Sequence, residues 1–222
     1  MSDRGAIIEF DFAAMDGAGL LFSTAGDFLS KLDGIALDAL AEARYLCGNA
    51  YISGLSAFFS SVKTKKTAQK AAKDLSAAFS AALTAAIVGG LPRGFVDFVR
   101  ALSEKGVKVV VATRAEIDAV RPTFAPVLCD GVTLFHEESP CYGSVQWDSW
   151  RRACVMNGMS RKSAVAVAGS GHSVKAALMA GMGAVAVVNE RVAYQDFTGA
   201  DEIVYELSGK TAKKVLSVLR VG

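Results

Sequence analysis

The sequence predicts an α/β fold in which a parallel sheet carries helices on both faces and a separate helical block is inserted. Three observations predict it. Short apolar runs bounded by polar or glycine-rich segments are typical of strands buried in a parallel sheet. From residue 91 onward such runs alternate with helical patterns, which indicates βαβ units. Between the first run and residue 91 only helical periodicity is present. The fold class is therefore a Rossmann-like three-layer sandwich with an inserted α-helical cap.

The first apolar run, residues 6–10, predicts a buried strand that places Asp11 at its carboxyl end. In open α/β sheets the ligand site lies beyond the carboxyl ends of the strands, so Asp11 is expected at the mouth of a site. The segment that follows, helical from about residue 24, has apolar side chains at helical spacing. We expect residues 18–90 to form a cap domain, and residues 1–17 with 91–222 to form the core domain.

Beyond the cap, helices and strands alternate. A glycine at residue 106 ends the first of these helices, because glycine readily takes the left-handed conformation found after a helix C-terminus. The predicted helices cover residues 92–105, 147–156, 174–180 and 211–219. The predicted strands cover residues 107–113, 132–135, 164–168, 184–188 and 202–205. Apolar residues dominate the strands, as expected for a sheet covered on both faces.

Composition and charge exclude several classes of protein. The chain of 222 residues has 24 Lys+Arg against 22 Asp+Glu, a formal net charge of +2, and so lacks the basic excess of a nucleic-acid-binding surface. Four widely spaced cysteines form no C-x-x-C pair, which is typical of a reducing compartment and indicates no zinc site. The N-terminal residues run directly into the first strand and leave no room for a signal peptide. We expect a cytoplasmic protein with no nucleic-acid partner.

The hydrophobic share of 52% raises the question of a membrane span. The most apolar stretch, residues 77–91, is rich in alanine, is interrupted by Ser80 and Thr84, and contains two consecutive glycines near its end. It is shorter than the roughly 20 residues that a spanning helix needs. We therefore expect a buried or partner-facing helix and no membrane partner.

By its order of parts the chain resembles the haloacid dehalogenase (HAD) superfamily, in particular the phosphoglycolate phosphatase and β-phosphoglucomutase type, whose helical cap follows the first strand. The resemblance covers nearly the whole chain. It rests on a strand that ends in an aspartate, on the helical insertion, and on the L-P-R-G-F segment at residues 91–95, which leads through a helix to a strand that ends in threonine. It also rests on K-A-A-L-M-A-G-M at residues 175–182 and G-A-D-E-I-V at residues 199–204.

The resemblance implies a D-x-D motif in which one carboxylate attacks phosphorus and the other acts as general acid/base. Asp11 matches the nucleophile, which must stay ionised to attack. The acid/base position is Ala13, whose methyl group neither gives nor takes a proton. Asp16 lies five residues after Asp11 and is too far along the loop to be taken as a substitute.

The resemblance implies three further motifs at strand ends. Thr113 fits the hydroxyl that binds the transferring phosphoryl group, and Arg114 after it could hold an anion; a surface arginine is the alternative. The third motif is a lysine, but the corresponding position lies near Ser144 and has none. The fourth is a set of acids that binds Mg²⁺. Residues 167–173 contain no carboxylate, so we predict no Mg²⁺ and no other cofactor.

The segment G-S-G-H-S around Ser170 leads into a helix, where backbone N–H groups suit an anion. Ser170 is therefore a candidate substrate contact, and a plain strand-to-helix turn is the alternative. His172 in the same turn could serve as a general base or simply be polar surface.

Three functions remain open. The joint loss of the acid/base, the lysine and the metal ligands predicts a pseudoenzyme: a HAD-like protein with a degraded phosphotransfer site that is catalytically impaired and serves a binding or scaffold role. The first alternative is a metal-independent hydrolase of dehalogenase or phosphonatase type that uses Asp11 as nucleophile. The second is a small-molecule phosphatase with unrecognised replacement ligands. The expected partner is a small-molecule anion or a protein.

Geometry separates these functions. A closed cavity that holds Asp11, Thr113 and a cation within about 4 Å of one another would favour catalysis. Apolar cap side chains that fill the space above Asp11 would favour loss of activity.

Overall fold

The computed structural model describes residues 4–137 and 147–221. Its centre is a six-stranded sheet in the order β3-β2-β1-β4-β5-β6, in which every pair of neighbours is parallel. The strands are β1 (Gly5–Glu9), β2 (Lys108–Thr113), β3 (Val132–His136), β4 (Ala164–Ala168), β5 (Gly183–Val187) and β6 (Glu202–Val204).

Helices surround this sheet and form the predicted cap. They are α1 (Gly17–Asp33), α2 (Ala39–Tyr45), α3 (Tyr51–Ser61), α4 (Ala68–Val88), α5 (Phe95–Ser103), α6 (Ile117–Phe124), α7 (Trp147–Met156), α8 (Gly171–Met179) and α9 (Gly209–Val218). Helices α1 to α4 follow β1 directly in the chain. Because parallel crossovers are right-handed, α5 and α6 lie on one face of the sheet and α7 and α8 on the other. Helix α9 packs against α5, which completes the three layers.

The central position of β1 decides where the site lies. Register pairs Glu9 of β1 with Ala112 of β2, and Ile8 with Val167 of β4. All five residues of β1 are buried, as are those of β4, in keeping with strands covered on both faces. The residues just beyond β1 therefore meet those at the ends of β2 and β4.

The structure moves Asp11 out of the strand. Strand β1 ends at Glu9, and residues Phe10–Ala14 form one turn of π-helix, closed by a hydrogen bond from the Met15 N–H to the Phe10 carbonyl at 3.0 Å. The Phe10 ring anchors this turn, with edge contacts to Phe95 and Phe124 at 4.8 and 4.9 Å between centroids. Single turns of π-helix are rare in proteins, and those that occur often lie at functional sites. Asp11 lies in this turn and is buried, not at an open mouth.

Two helices differ from the prediction. Helix α1 begins at Gly17 rather than near residue 24, because Asp16 caps it by accepting a hydrogen bond from the Gly19 N–H at 2.9 Å. Asp16 is thus a helix cap, in agreement with its exclusion as a second acid. Helix α6 is absent from the prediction because it has eight residues and contains Pro122, which ordinarily interrupts a helical pattern.

Helix α4 corrects the argument about membrane length. It has 21 residues and, in the described part of the chain, is the helix long and apolar enough to cross a membrane by length and composition. The apolar stretch read from the sequence covers only its second half. One side of α4, which includes Leu75, Phe79 and Leu83, is buried, and the helix packs against α1, α3 and α6. Length therefore does not exclude a span, and the absence of a membrane partner stays a prediction.

Candidate functional site

Both carboxylate oxygens of Asp11 are occupied by donors from the end of β2. Oδ1 accepts a hydrogen bond from Thr113 Oγ1 at 2.6 Å. Oδ2 accepts two, from the Arg114 backbone N–H at 3.0 Å and from Arg114 Nε at 3.1 Å. Asp11 is only 2% exposed. The structure thus brings together three of the four predicted site residues, but it turns Thr113 and Arg114 toward Asp11 itself.

The Arg114 guanidinium is the cation of this site. Its Cζ lies 5.0 Å from the centroid of the Phe12 ring and 5.3 Å from that of Phe79, a residue of α4. Both distances are within the range of cation–π attraction. Burial acts to lower the pKa of Arg114, but neighbouring acidic groups, Asp11 first among them, raise it above its ordinary value. Arg114 is therefore a permanent buried cation, and the surface alternative is wrong.

Glu137 completes the charge cluster from the end of β3. Its Oε2 lies 3.9 Å from Arg114 Nε, and its Oε1 accepts a hydrogen bond from Ser149 Oγ at 2.8 Å. Burial raises the pKa of Glu137, and the positive charge of Arg114 opposes that rise. The sequence analysis missed Glu137. An acid two residues after the predicted strand 132–135 was the signal that could have found it.

Ser170 belongs to a separate cluster around Glu9. Ser170 Oγ accepts a hydrogen bond from the Ser173 N–H at 3.1 Å and so caps α8. Glu9 Oε1 accepts from Ser173 Oγ, and Oε2 accepts from the Gly169 N–H, both at 2.8 Å. The carboxyl group bound at the N-terminus of α8 is thus that of Glu9. The sequence analysis missed Glu9, although it is a charged residue within an apolar strand. A ligand contact for Ser170 stays a prediction.

The glycines of this turn are required by close backbone packing. A Cβ at Gly169 would clash with the carbonyl group of Phe12 in the π-turn. A Cβ at Gly171 would lie 2.5 Å from the carbonyl oxygen of Asp196. This packing supports the strand-to-helix turn as the reason for both glycines. His172, between Gly171 and Ser173, has its pKa lowered by burial, and it shares no hydrogen bond with Asp11 within the described ranges.

Helix α4 closes the cap over Asp11. Phe79 is buried against Arg114, and the neighbouring Ser80 Oγ donates a hydrogen bond to the Arg114 carbonyl at 2.6 Å. One turn further along α4, Thr84 Oγ1 accepts a hydrogen bond from the Glu116 N–H at 3.0 Å. The helix is thus fixed to the segment that follows β2, which is the segment that carries Arg114.

A second contact fixes the other side of the cap. The loop after β5 donates two hydrogen bonds to cap carbonyls, from the Tyr194 hydroxyl to Ala43 at 3.0 Å and from Gln195 Nε2 to Cys47 at 3.3 Å. Gln195 Oε1 also accepts a hydrogen bond from the Gly171 N–H at 2.8 Å. The cap is therefore held to the core on two sides.

One cavity between the cap and the core, as far as the described residues define it, is very small. The cavity lined by Glu9, Phe12, Tyr51 and Ser170, among others, has a volume of about 10 Å³, which is room for about one water molecule. The buried Tyr51 hydroxyl has no hydrogen-bond partner among residues 4–137 and 147–221. A phosphate ester does not fit in this cavity.

The residues present do not fit Mg²⁺, the metal that the resembled superfamily implies. Mg²⁺ requires near-octahedral oxygen ligands, whereas Asp11 already accepts three hydrogen bonds and has a guanidinium beside it. Within the described ranges no group of three His, Cys, Asp or Glu side chains could hold a metal ion. The third-motif position near Ser144 lies outside the described residues.

Buried carboxyl groups make the stability of the protein depend on pH. Burial raises the pKa of Glu9 from 4.5 to about 7, and it raises that of Glu42 to about 7 as well. Between pH 4.5 and about 7 each of these carboxyl groups loses its proton in the unfolded chain but keeps it in the folded protein. The free energy of unfolding therefore falls as pH rises through this range. We expect Glu9 alone to account for a loss of up to about 3 kcal/mol between pH 4.5 and 7.

Urea denaturation at pH 5 and pH 8 measures this loss. Glu9→Gln should reduce the difference in unfolding free energy between pH 5 and pH 8, and adding Glu42→Gln should reduce that difference further. Glu104→Gln, at an exposed position, should leave the difference unchanged. A wild-type protein that is more stable at pH 8 than at pH 5 would contradict the prediction.

Solved structures with closely similar folds cover the chain almost completely. β-Phosphoglucomutase from Clostridium difficile has a TM-score of 0.70 at 11% identity, covering 98% of this chain and 97% of that one. CbbY from Rhodobacter sphaeroides in complex with phosphate has a TM-score of 0.66 at 16% identity, covering 94% and 96%. A phosphonoacetaldehyde hydrolase like protein from Oleispira antarctica has a TM-score of 0.70 at 15% identity, covering 98% and 92%.

No protein-family model matches the sequence, and no curated protein matches it. At these low identities the structural likeness shows the fold, and it confirms the fold that the sequence resemblance predicts.

Proposed function

Because the chain has the fold of the haloacid dehalogenase superfamily, of the phosphoglycolate phosphatase and β-phosphoglucomutase type, we propose that it is a catalytically silent member of that fold with a binding role. One observation carries this proposal: the Asp11 carboxylate accepts three hydrogen bonds from Thr113 and Arg114 and is only 2% exposed. The charged group that a nucleophile would present to substrate is here part of the protein's internal packing.

Nucleophilic attack needs a free lone pair and an approach path to the electrophile. At Asp11 three of about four lone-pair sites already accept hydrogen bonds, and the approach path is closed because Asp11 is 2% and Arg114 7% exposed. Opening the path would break a buried ion pair and the contacts of Arg114 with Phe12 and Phe79. Ala13 offers no acid/base group even after such an opening.

A metal-independent hydrolase is the second candidate function. The observation in its favour is the Arg114 cation, which lies 3.1 Å from Asp11 and could neutralise charge on the nucleophile. The position of this cation meets one part of the criterion for catalysis stated above, a cation close to Asp11 and Thr113. The other part, a cavity that holds Asp11, Thr113 and the cation, is not met by the cavity of about 10 Å³ under the cap, because none of these three residues lines it.

The test is hydrolysis of p-nitrophenyl phosphate and of 2-chloropropionate by the full chain, each with Mg²⁺ and with EDTA. We expect no turnover above that of Asp11→Asn, since any activity shared with that variant does not involve Asp11. Turnover that disappears in Asp11→Asn would refute the silent site. If it also persists in EDTA, it would establish the metal-independent hydrolase.

A further inference from the structure

A larger cleft lies beside the sealed aspartate, at the carboxyl ends of β1, β5 and β6. Its volume is about 420 Å³, within the range of small-molecule sites. It lies at the sheet edge where open α/β sheets bind their ligands. Asp11, Thr113 and Arg114 do not line this cleft. It is therefore a site separate from the one described above.

The floor of the cleft is apolar. It includes Phe12 and Ala13 of the π-turn, Val187 at the end of β5 and Leu207 after β6. Each of these residues is under 9% exposed, so the floor presents only a small apolar surface to solvent. The small Ala13, at the position of the missing acid/base, leaves this floor uncharged. An apolar body of a ligand would remove the remaining apolar surface from water.

The walls of the cleft carry charges of both signs. Arg93, on the segment before α5, makes no hydrogen bond or ion pair with any residue of the described ranges. Glu190 and Glu206, in the loops after β5 and β6, likewise have no ion-pair partner there. Arg191 is already engaged, since its Nε lies 3.9 Å from Asp16 Oδ2 and its Cζ stacks over Phe22 at 5.7 Å from the ring centroid.

These charges select a class of ligand. A guanidinium such as that of Arg93 binds a carboxylate in a two-pronged geometry. The Glu190 and Glu206 carboxylates favour an ammonium group and repel a doubly charged phosphate. We propose that the cleft binds a small zwitterion with an apolar body, of α-amino-acid chemistry. This inference gives the proposed binding role a ligand class and rests on that role.

Isothermal titration of the full chain tests the proposal with four probes. L-phenylalanine carries both charges, 3-phenylpropanoate lacks the ammonium group, 2-phenylethylamine lacks the carboxylate, and inorganic phosphate lacks the apolar body. We expect phenylalanine to bind, and each singly charged analogue to bind about two- to fivefold more weakly, because each lacks one ion pair with the exposed wall charges Arg93, Glu190 and Glu206. We expect no binding of phosphate in this cleft.

Variants locate the binding. Arg93→Gln should weaken phenylalanine binding about two- to fivefold and abolish the preference over 2-phenylethylamine. Arg100→Gln is the matched control, because Arg100 is an exposed arginine of α5 that pairs with Asp97 outside the cleft; it should bind as the wild type does. Absence of phenylalanine binding, equal affinity for 3-phenylpropanoate, or equal losses in both variants would overturn the proposal. Phosphate binding that is lost in Thr113→Val would instead count against the silent site.

Discussion

Replacing Arg114 with methionine is expected to lower the free energy of unfolding by about 3–5 kcal/mol. The substitution leaves the Asp11 carboxylate buried without a countercharge, and Glu137 loses its nearest cation. It also removes the guanidinium from the faces of Phe12 and Phe79. Two donors remain, because the Thr113 hydroxyl and the backbone N–H at position 114 still face Asp11.

Urea denaturation measures this loss, with Arg121→Met as the matched control at an exposed position of α6, where we expect a change within about 0.5 kcal/mol. The double variant Asp11→Asn with Arg114→Met removes both charges. It should be more stable than Arg114→Met alone, because no ion is left unpaired in the interior. Equal stabilities of Arg114→Met and Arg121→Met would show that the buried pair does not hold the site closed.

Replacing Phe79 with alanine is expected to cost about 3–5 kcal/mol of unfolding free energy. Phe79 is 1% exposed, and its ring lies 5.9 Å from that of Phe12 and 5.3 Å from Arg114 Cζ. It is thus the cap side chain in contact with both the π-turn and the cation. The truncation leaves a cavity at the junction of cap and core, so the cap should also open more often.

Two measurements separate these effects. Urea denaturation gives the loss of stability, and amide hydrogen exchange in α3 and α4 reports local opening of the cap. Val88→Ala serves as the control, since Val88 ends the same helix but is 56% exposed. Unchanged exchange in α4 of Phe79→Ala, together with a stability close to that of Val88→Ala, would contradict this role for Phe79.

The main elements were predictable because their patterns are local. Strand β4 has the predicted bounds 164–168, because it is a pure apolar run, and α7 ends at the predicted residue 156. The order of the strands and of the cap along the chain could be predicted, because it follows the order of these patterns in the sequence. The π-turn did not, because its hydrogen bond spans five residues and no residue type favours it strongly.

The direction of the Arg114 side chain could not be predicted. It depends on Phe79, which is 35 positions away in the chain, and on Glu137, which arrives with a different strand. The sequence shows only that an arginine follows a strand-terminal threonine. The cleft was likewise hidden, because Arg93, Glu190 and Glu206 come from three separate loops that only the folded sheet brings to one edge.

The place of β1 in the sheet also constrains how the chain folds. Strand β1 has its partners in β2 and β4, so Ile8 must meet Val111 and Val167. During synthesis β1 leaves the ribosome before β2 and β4, so its second edge cannot be paired until β4 has been made. Such distant pairings fold slowly and leave apolar edges open for a time. Among the strands of this sheet, β1 therefore waits longest for its partners and is the one most exposed to chaperones and to aggregation.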